Sequence, residues 1–210
     1  MPKSMVLGLA GLLLLGGCAV GVKHDYNQRG LDLGIATSAT VAVGTLDQRP
    51  YIVNGQKAPD FVGLSRGGFG NPFDVTTQSG RPLASDVSSA IAESMRAKGV
   101  DAKPVEIKHA LGDDQARAAM RAAGTQKSVL LTLFEWKGDS MINVGFNYDF
   151  TLRVFDKDGK QLASKLQQGR ENLGAADPFS PGGTAQIVPR FRRMMEALFQ
   201  DPDVVKALQP

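Results

Sequence analysis

The chain has 210 residues, 42% of them hydrophobic and 21% charged, with 24 basic against 21 acidic side chains and a formal net charge of +3. That is one medium domain's worth of chain, long enough to bury a core without covalent staples. So small a charge excess is no nucleic-acid footprint, and a single cysteine, Cys18, excludes any disulfide within the chain.

Lys3 precedes an apolar run over residues 5–17 that is too short to span a bilayer and ends in small residues. This predicts a secretory signal peptide over 1–17, removed so that Cys18 leads the mature chain. Leu15-Gly16-Gly17-Cys18 resembles a bacterial lipobox, in which the cysteine thiol takes a diacylglyceryl group and the new amino terminus a third acyl chain. Two or three acyl chains hold a protein on a membrane far more firmly than one. Ala19 stands where lipoproteins retained in the inner membrane carry Asp. By resemblance to that sorting rule, the expected location is the outer membrane, lipid-anchored and facing the periplasm.

Residues 18–38 are polar and Gly-containing without a steady period, and read as a lipidated tether. Fully extended, such a segment reaches about 65–70 Å at most. A single α+β domain is expected over 39–210. Its first strand, 39–46, is rich in small residues and suited to cover on both faces. Residues 47–81 form a Gly/Pro/aromatic arm containing Pro50, Pro59, Pro72, Tyr51, Phe61, Phe69 and Phe73. Short strands are expected at 51–53 and 73–77, paired around the Gly-rich turn.

Leu83, Val87, Ala90, Ile91 and Met95 fall at helical spacing over 82–98, and Gly99 closes that helix. An edge strand follows at 100–107, broken by Pro104. A short helix opens at Asp113 or Asp114 and ends before Gly124. Residues 127–136 make a nearly unbroken apolar run, the mark of a covered central strand. Over 143–155, Val144, Phe146, Tyr148, Phe150, Leu152 and Val154 alternate with polar residues. Asp156 to Gly159 then turn the chain into a hairpin with 160–168. A helix at 187–200 presents Ile187, Phe191, Met194, Met195, Leu198 and Phe199, with Pro189 in its first turn. Asp201-Pro202 caps a short closing helix. The expected fold is α+β, a mixed, mainly antiparallel sheet with helices packed on one face.

The lipobox, the first strand running into Asp47-Gln48-Arg49, the Gly99-ended helix, and the strand Phe146-Asn147-Tyr148-Asp149-Phe150-Thr151-Leu152 with its Asp158-Gly159 turn and closing helix together resemble the YajG-like family of outer-membrane lipoproteins. The resemblance spans most of the mature chain. It implies a fold similar to domains of other envelope lipoproteins, including the curli-secretion and penicillin-binding-protein-activator types.

Gly63-Leu64-Ser65-Arg66-Gly67 matches G-x-S-x-G, but a nucleophile elbow must open a helix and Gly70 and Pro72 follow. His24 and His109 are the only histidines, too far apart in sequence to build a clustered metal set with a Cys18 committed to lipid. Asp156, Asp158 and Gly159 lack the ligand series and terminal Glu of a calcium loop. No catalytic residue, metal or cofactor is expected. Arg190, Arg192 and Arg193 read as a solvated helix face, with anionic headgroups as the other reading. The candidates for partner contact are Arg49, Tyr51, Phe61, Arg66, Phe69 and Phe73, residue types enriched at interface anchors. The other reading has Phe69 and Phe73 folding back over the sheet.

The expectation is therefore a non-enzymatic outer-membrane lipoprotein, held by its acyl chains and acting on an envelope protein partner as an interaction or assembly factor, with no nucleic acid. The alternative is a lipid- or glycan-binding accessory protein of an envelope transport or cell-wall system. A cavity behind Phe146, Phe150 and Phe191 favours the ligand reading; a filled core with an exposed Phe69/Phe73 patch favours the partner reading.

Overall fold

The computed structural model describes residues 21–67, 69–177 and 183–210. The expected signal peptide and Cys18 lie outside the described residues. Strand β1 is Lys23–His24, β2 Val41–Asp47, β3 Phe61–Arg66, β4 Pro72–Thr77, β5 Ala102–Val105, β6 Lys127–Ser140, β7 Asn143–Asp156 and β8 Gln161–Ala175. Helix α1 is Pro50–Val53, α2 Leu83–Ala97, α3 Asp113–Ala122, α4 Ile187–Phe199 and α5 Pro202–Leu208.

Everything hangs on β6. One of its edges pairs antiparallel with β7 along its length, and β7 pairs antiparallel with β8. The other edge is divided: residues 127–133 pair with β2, residues 138–140 with β3, both parallel. The sheet forks there. β5 lies parallel beyond β2, while β4 lies antiparallel beyond β3 and carries β1 parallel on its outer edge. Along the order β1-β4-β3-β6-β2-β5 only β3/β4 is antiparallel, which corrects the expectation of a mainly antiparallel sheet. Hairpins are legible in turn residues, whereas crossovers through α2 and α3 return the chain parallel.

Helices occupy both faces, not one. Val41 and Val43 of β2 join the large core with α2, α4 and α5, while Ala42 and Leu46 face a smaller core of Ile107, Ala116, Met120, Leu130 and Phe155 under α3. Every residue of β2 is consequently buried. A Cβ on Gly44 would stand 2.5 Å from Met120 Sδ, so those core side chains would have to shift to admit one. β7 alternates as its sequence dictates, its even residues from Val144 to Val154 filling the large core. In the turn to β8, Asp156 Oδ1 accepts from the amides of Asp158 and Lys160 at 3.0 and 2.9 Å, so that carboxylate closes a hairpin. Gly99, at φ 85°, follows α2, and the Asp201 side chain accepts from the Asp203 amide to cap α5.

From residue 21 on, the expected tether is instead part of the domain. Tyr26, Leu31, Leu33 and Ile35 are buried, and the segment is laced between helices. The Leu31 amide donates to Ser94 Oγ of α2 at 3.0 Å, the Asp32 amide to Glu196 Oε1 of α4 at 3.0 Å, and Thr37 Oγ1 to the Leu208 carbonyl of α5 at 2.7 Å. Leu31, Leu33 and Ile35 alternate with Asp32 and Gly34, a short period of two that burial uses and that a reading for linker composition passes over. Each buried apolar side chain contributes roughly 1.5–3 kcal/mol, enough to hold an extended strap against a preformed groove.

Candidate functional site

The 47–81 arm divides into a buried base and an exposed tip. At the base, Asp47 and Arg49 form a two-point ion pair, Arg49 Nε to Oδ1 at 2.8 Å and Nη2 to Oδ2 at 2.7 Å. Arg49 is fully buried and Asp47 nearly so. The guanidinium also donates to the Phe61 carbonyl at 2.7 Å, the Trp136 carbonyl at 3.3 Å and the Pro59 carbonyl at 3.4 Å. These oxygens surround the point where β6 leaves β2 and takes up β3, so the guanidinium supplies donors that the fork removes from the ladder. Burial pushes the Arg49 pKa down and the Asp47 carboxylate raises it, with a net rise, so the guanidinium stays charged.

Tyr51 caps the same plug. Its hydroxyl donates to Glu135 Oε1 at 2.6 Å and lies 3.2 Å from the Trp136 carbonyl, and its ring packs edge-on to Phe61 with 5.5 Å between centroids. Burial raises its phenol pKa. Tyr51 sits in one-turn α1, where a strand was expected; Pro50 at the first helical position presets that turn. Phe61 is 2% exposed. Arg49 and Phe61 are thus buried in the fork and offer no surface to a partner, since the guanidinium is saturated by one carboxylate and three carbonyls, while Tyr51 stays half-buried beside them.

The tip is otherwise. β3 and β4 pair as a hairpin, Ser65 opposite Phe73 and Arg66 opposite Pro72, and the Gly67 amide donates to the Asn71 carbonyl at 3.0 Å. Phe69 is 96% exposed and so does not fold back over the sheet, while Phe73 is 47% exposed. Arg66 grips Asp139 of β6 at both nitrogens, 2.7 and 2.6 Å, and ties the hairpin to its neighbour. Ser65 pairs with Ser140 across the same junction, which places the β6–β7 turn at this end of the sheet. That turn carries Met141, 50% exposed, and Ile142, 76% exposed. One end of the sheet thus presents four large apolar side chains from two hairpins. Met141 and Ile142 escaped the sequence reading, yet a signal exists: turn positions usually carry Gly, Asn, Asp or Ser, and two adjacent large apolar residues there have no core to enter.

Ser65 lies inside β3, paired on both sides, rather than on a strand-to-helix elbow. His24 sits further along the sheet on β1, opposite Thr77, with Nε2 2.7 Å from Thr184 Oγ1 and Nδ1 3.5 Å from the Tyr26 hydroxyl. Burial lowers its pKa to about 4 and keeps the ring neutral. Behind the sheet, Phe146, Phe150 and Phe191 pack around Trp136 at centroid distances of 4.9, 5.8 and 5.7 Å, so side chains occupy the space where an internal ligand would sit. Arg190 is held by Glu171 at 2.8 and 2.6 Å and Arg192 by Glu196 at 2.9 Å.

No family model and no curated protein sequence matches the chain. Solved structures do. Protein XCC0632 from Xanthomonas campestris, of family DUF330, superposes with a TM-score of 0.51 at 8% identity, covering 82% of this chain and 88% of that one. A PelC dodecamer from Paraburkholderia phytofirmans gives 0.43 at 10% identity, with 87% and 95% covered. Lipoprotein GNA1162 from Neisseria meningitidis gives 0.30 at 15% identity, with 76% and 99% covered. The likeness to XCC0632 is one of fold alone.

Proposed function

We propose that this chain is a lipid-anchored protein of the bacterial outer membrane, facing the periplasm, that works by contact and not by catalysis as an envelope interaction or assembly factor. The anchor rests on the lipobox at Leu15-Gly16-Gly17-Cys18 and on the residues that resemble the YajG-like family. The contact reading rests on one observation: Phe69, Phe73, Met141 and Ile142 lie exposed on two hairpins at one end of a sheet whose interior is already filled. Solvent-facing apolar side chains clustered in this way mark interaction surfaces. The filled interior also weighs against the accessory reading with an internal lipid or glycan.

Photo-crosslinking in living cells tests it, with the probe at Phe69 and a second at Lys157 in the turn at the far end of β7. A discrete adduct at 69 with none at 157 is expected. Equal labelling at the two sites, or none at 69, ends the contact reading. Loss of membrane fractionation in Cys18→Ser tests the anchor independently.

A further inference from the structure

The direction of β1 decides what the apolar end faces. β1 runs parallel to β4, Lys23 opposite Thr76 and His24 opposite Thr77. The Thr76 amide donates to the Val22 carbonyl at 3.1 Å, and Gly21 lies against the Asp74 carbonyl. Followed backwards, from His24 to Gly21, the chain therefore retraces β4 towards Phe73 and Pro72, the end that carries the hairpin tip. Only residues 19 and 20 separate Gly21 from Cys18. At full extension that is at most about 11 Å. An acyl chain on Cys18 must enter its bilayer within that reach of Gly21, close to where β4 begins.

We propose that the end formed by Phe69, Phe73, Met141 and Ile142 docks into the lipid surface that carries the anchor. The inference rests on the reading of Cys18 as acylated and names what the contact surface of that reading touches. Three features of the end suit a headgroup–acyl boundary. Phe69, Gly70, Asn71, Pro72 and Phe73, like Met141, Ile142 and Asn143, include no charged side chain. Two charge pairs flank it, Arg66 with Asp139 and Lys57 with Asp74, so neither of those carboxylates stands alone against an anionic surface. Several backbone groups at the tips are already spent: Gly67 N–H on the Asn71 carbonyl at 3.0 Å, Gly70 N–H on the Gly67 carbonyl at 2.8 Å, Met141 N–H on the Asn143 carbonyl at 3.2 Å, and the Ile142 carbonyl on Ala176 N–H at 2.9 Å. Spent hydrogen-bonding groups cost little to bring out of water.

The test uses the full lipidated chain. Because Cys18 is then a thioether, a cysteine introduced by F69C, I142C or K157C takes an environment-sensitive fluorophore alone. The proteins are placed in vesicles of phosphatidylethanolamine and phosphatidylglycerol containing lipids brominated along the acyl chain. Probes at 69 and 142 are expected to lose roughly half or more of their fluorescence, as for groups inserted ~5–10 Å into the boundary region, while the probe at 157 is unchanged. Flotation of the same samples separates the two claims. A chain that fails to float with the vesicles refutes the acyl anchor, and docking falls with it. A chain that floats with 69 and 142 as bright as in lipid lacking bromine overturns docking alone.

Discussion

The guanidinium of Arg49 lies 3.3 Å from the main-chain carbonyl of Trp136, at the place where β6 exchanges β2 for β3. A sheet that forks strands carbonyls that a continuous ladder would pair, and here a side chain just past the end of β2 reaches back to serve them. Removing the cation while leaving Asp47 strands a buried carboxylate as well. Arg49→Met is expected to cost about 3–5 kcal/mol, read from urea unfolding of the mature chain. Asp47→Asn combined with Arg49→Met should be milder than Arg49→Met alone by ~1 kcal/mol or more, because no charge is then left uncompensated. Equal losses would mean that the carbonyl contacts, not the ion pair, matter.

Acid should destabilise the protein through His24. Burial lowers its pKa from the ordinary 6.5 to about 4. Between those values the unfolded chain binds the proton and the folded one does not, so stability is complete above about pH 6.5 and is lost as pH falls towards 4. The full loss amounts to about 3 kcal/mol. Unfolding midpoints across that window should slope upwards with pH and lose the slope in His24→Gln. Glu171 acts in a separate window: Arg190 holds its carboxylate down at about 2, so its share of stability is lost only as pH drops below 4.5. A slope that survives in His24→Gln above pH 5 would sink the assignment.

The second branch of the fork depends on an approach that only glycine permits. Gly63 of β3 and Gly138 of β6 pair directly, and a Cβ on Gly63 would stand 2.5 Å from the Gly138 carbonyl oxygen. Backbone blocks it, so the strand must lift. Gly63→Ala is expected to cost about 1–3 kcal/mol. Amide exchange should rise in β3 and β4 while β7 and β8 keep their protection; a uniform rise would indicate global loosening instead.

Exposure at the hairpin end has its own signature in stability. Phe69→Ser and Ile142→Ser should leave the unfolding free energy within about 0.5 kcal/mol of the parent. Phe146→Ala, in the filled core around Trp136, should cost about 3–5 kcal/mol. A large loss in Phe69→Ser would return that ring to the interior.

Strong periods are legible in the sequence, and weak or divided ones are not. The alternation in β7, the apolar run in β6, the helical spacing of α2 and α4 and the Asp201-Pro202 start of α5 all appear where their side chains place them. What escapes is set by long-range pairing. Neither Arg49 nor Phe61 carries a local sign that β6 will divide its edge between two strands, so both read as surface anchors. Leu31, Leu33 and Ile35 alternate over too few residues to stand out from polar neighbours, and only the groove between α2 and α4 gives them a place. At the site, composition alone points to Phe69 and Phe73, whereas Met141 and Ile142 join them through the parallel register of β3 on β6.

Tension on the N-terminus would load the parallel contact between β1 and β4 along the strand axis, so its bonds would resist together in shear instead of peeling open one after another. Behind β1, the strap from Tyr26 to Ile35 would pull against α2 and α4 at once. A pull at that end would thus reach β6 only after passing through β1 and the strap.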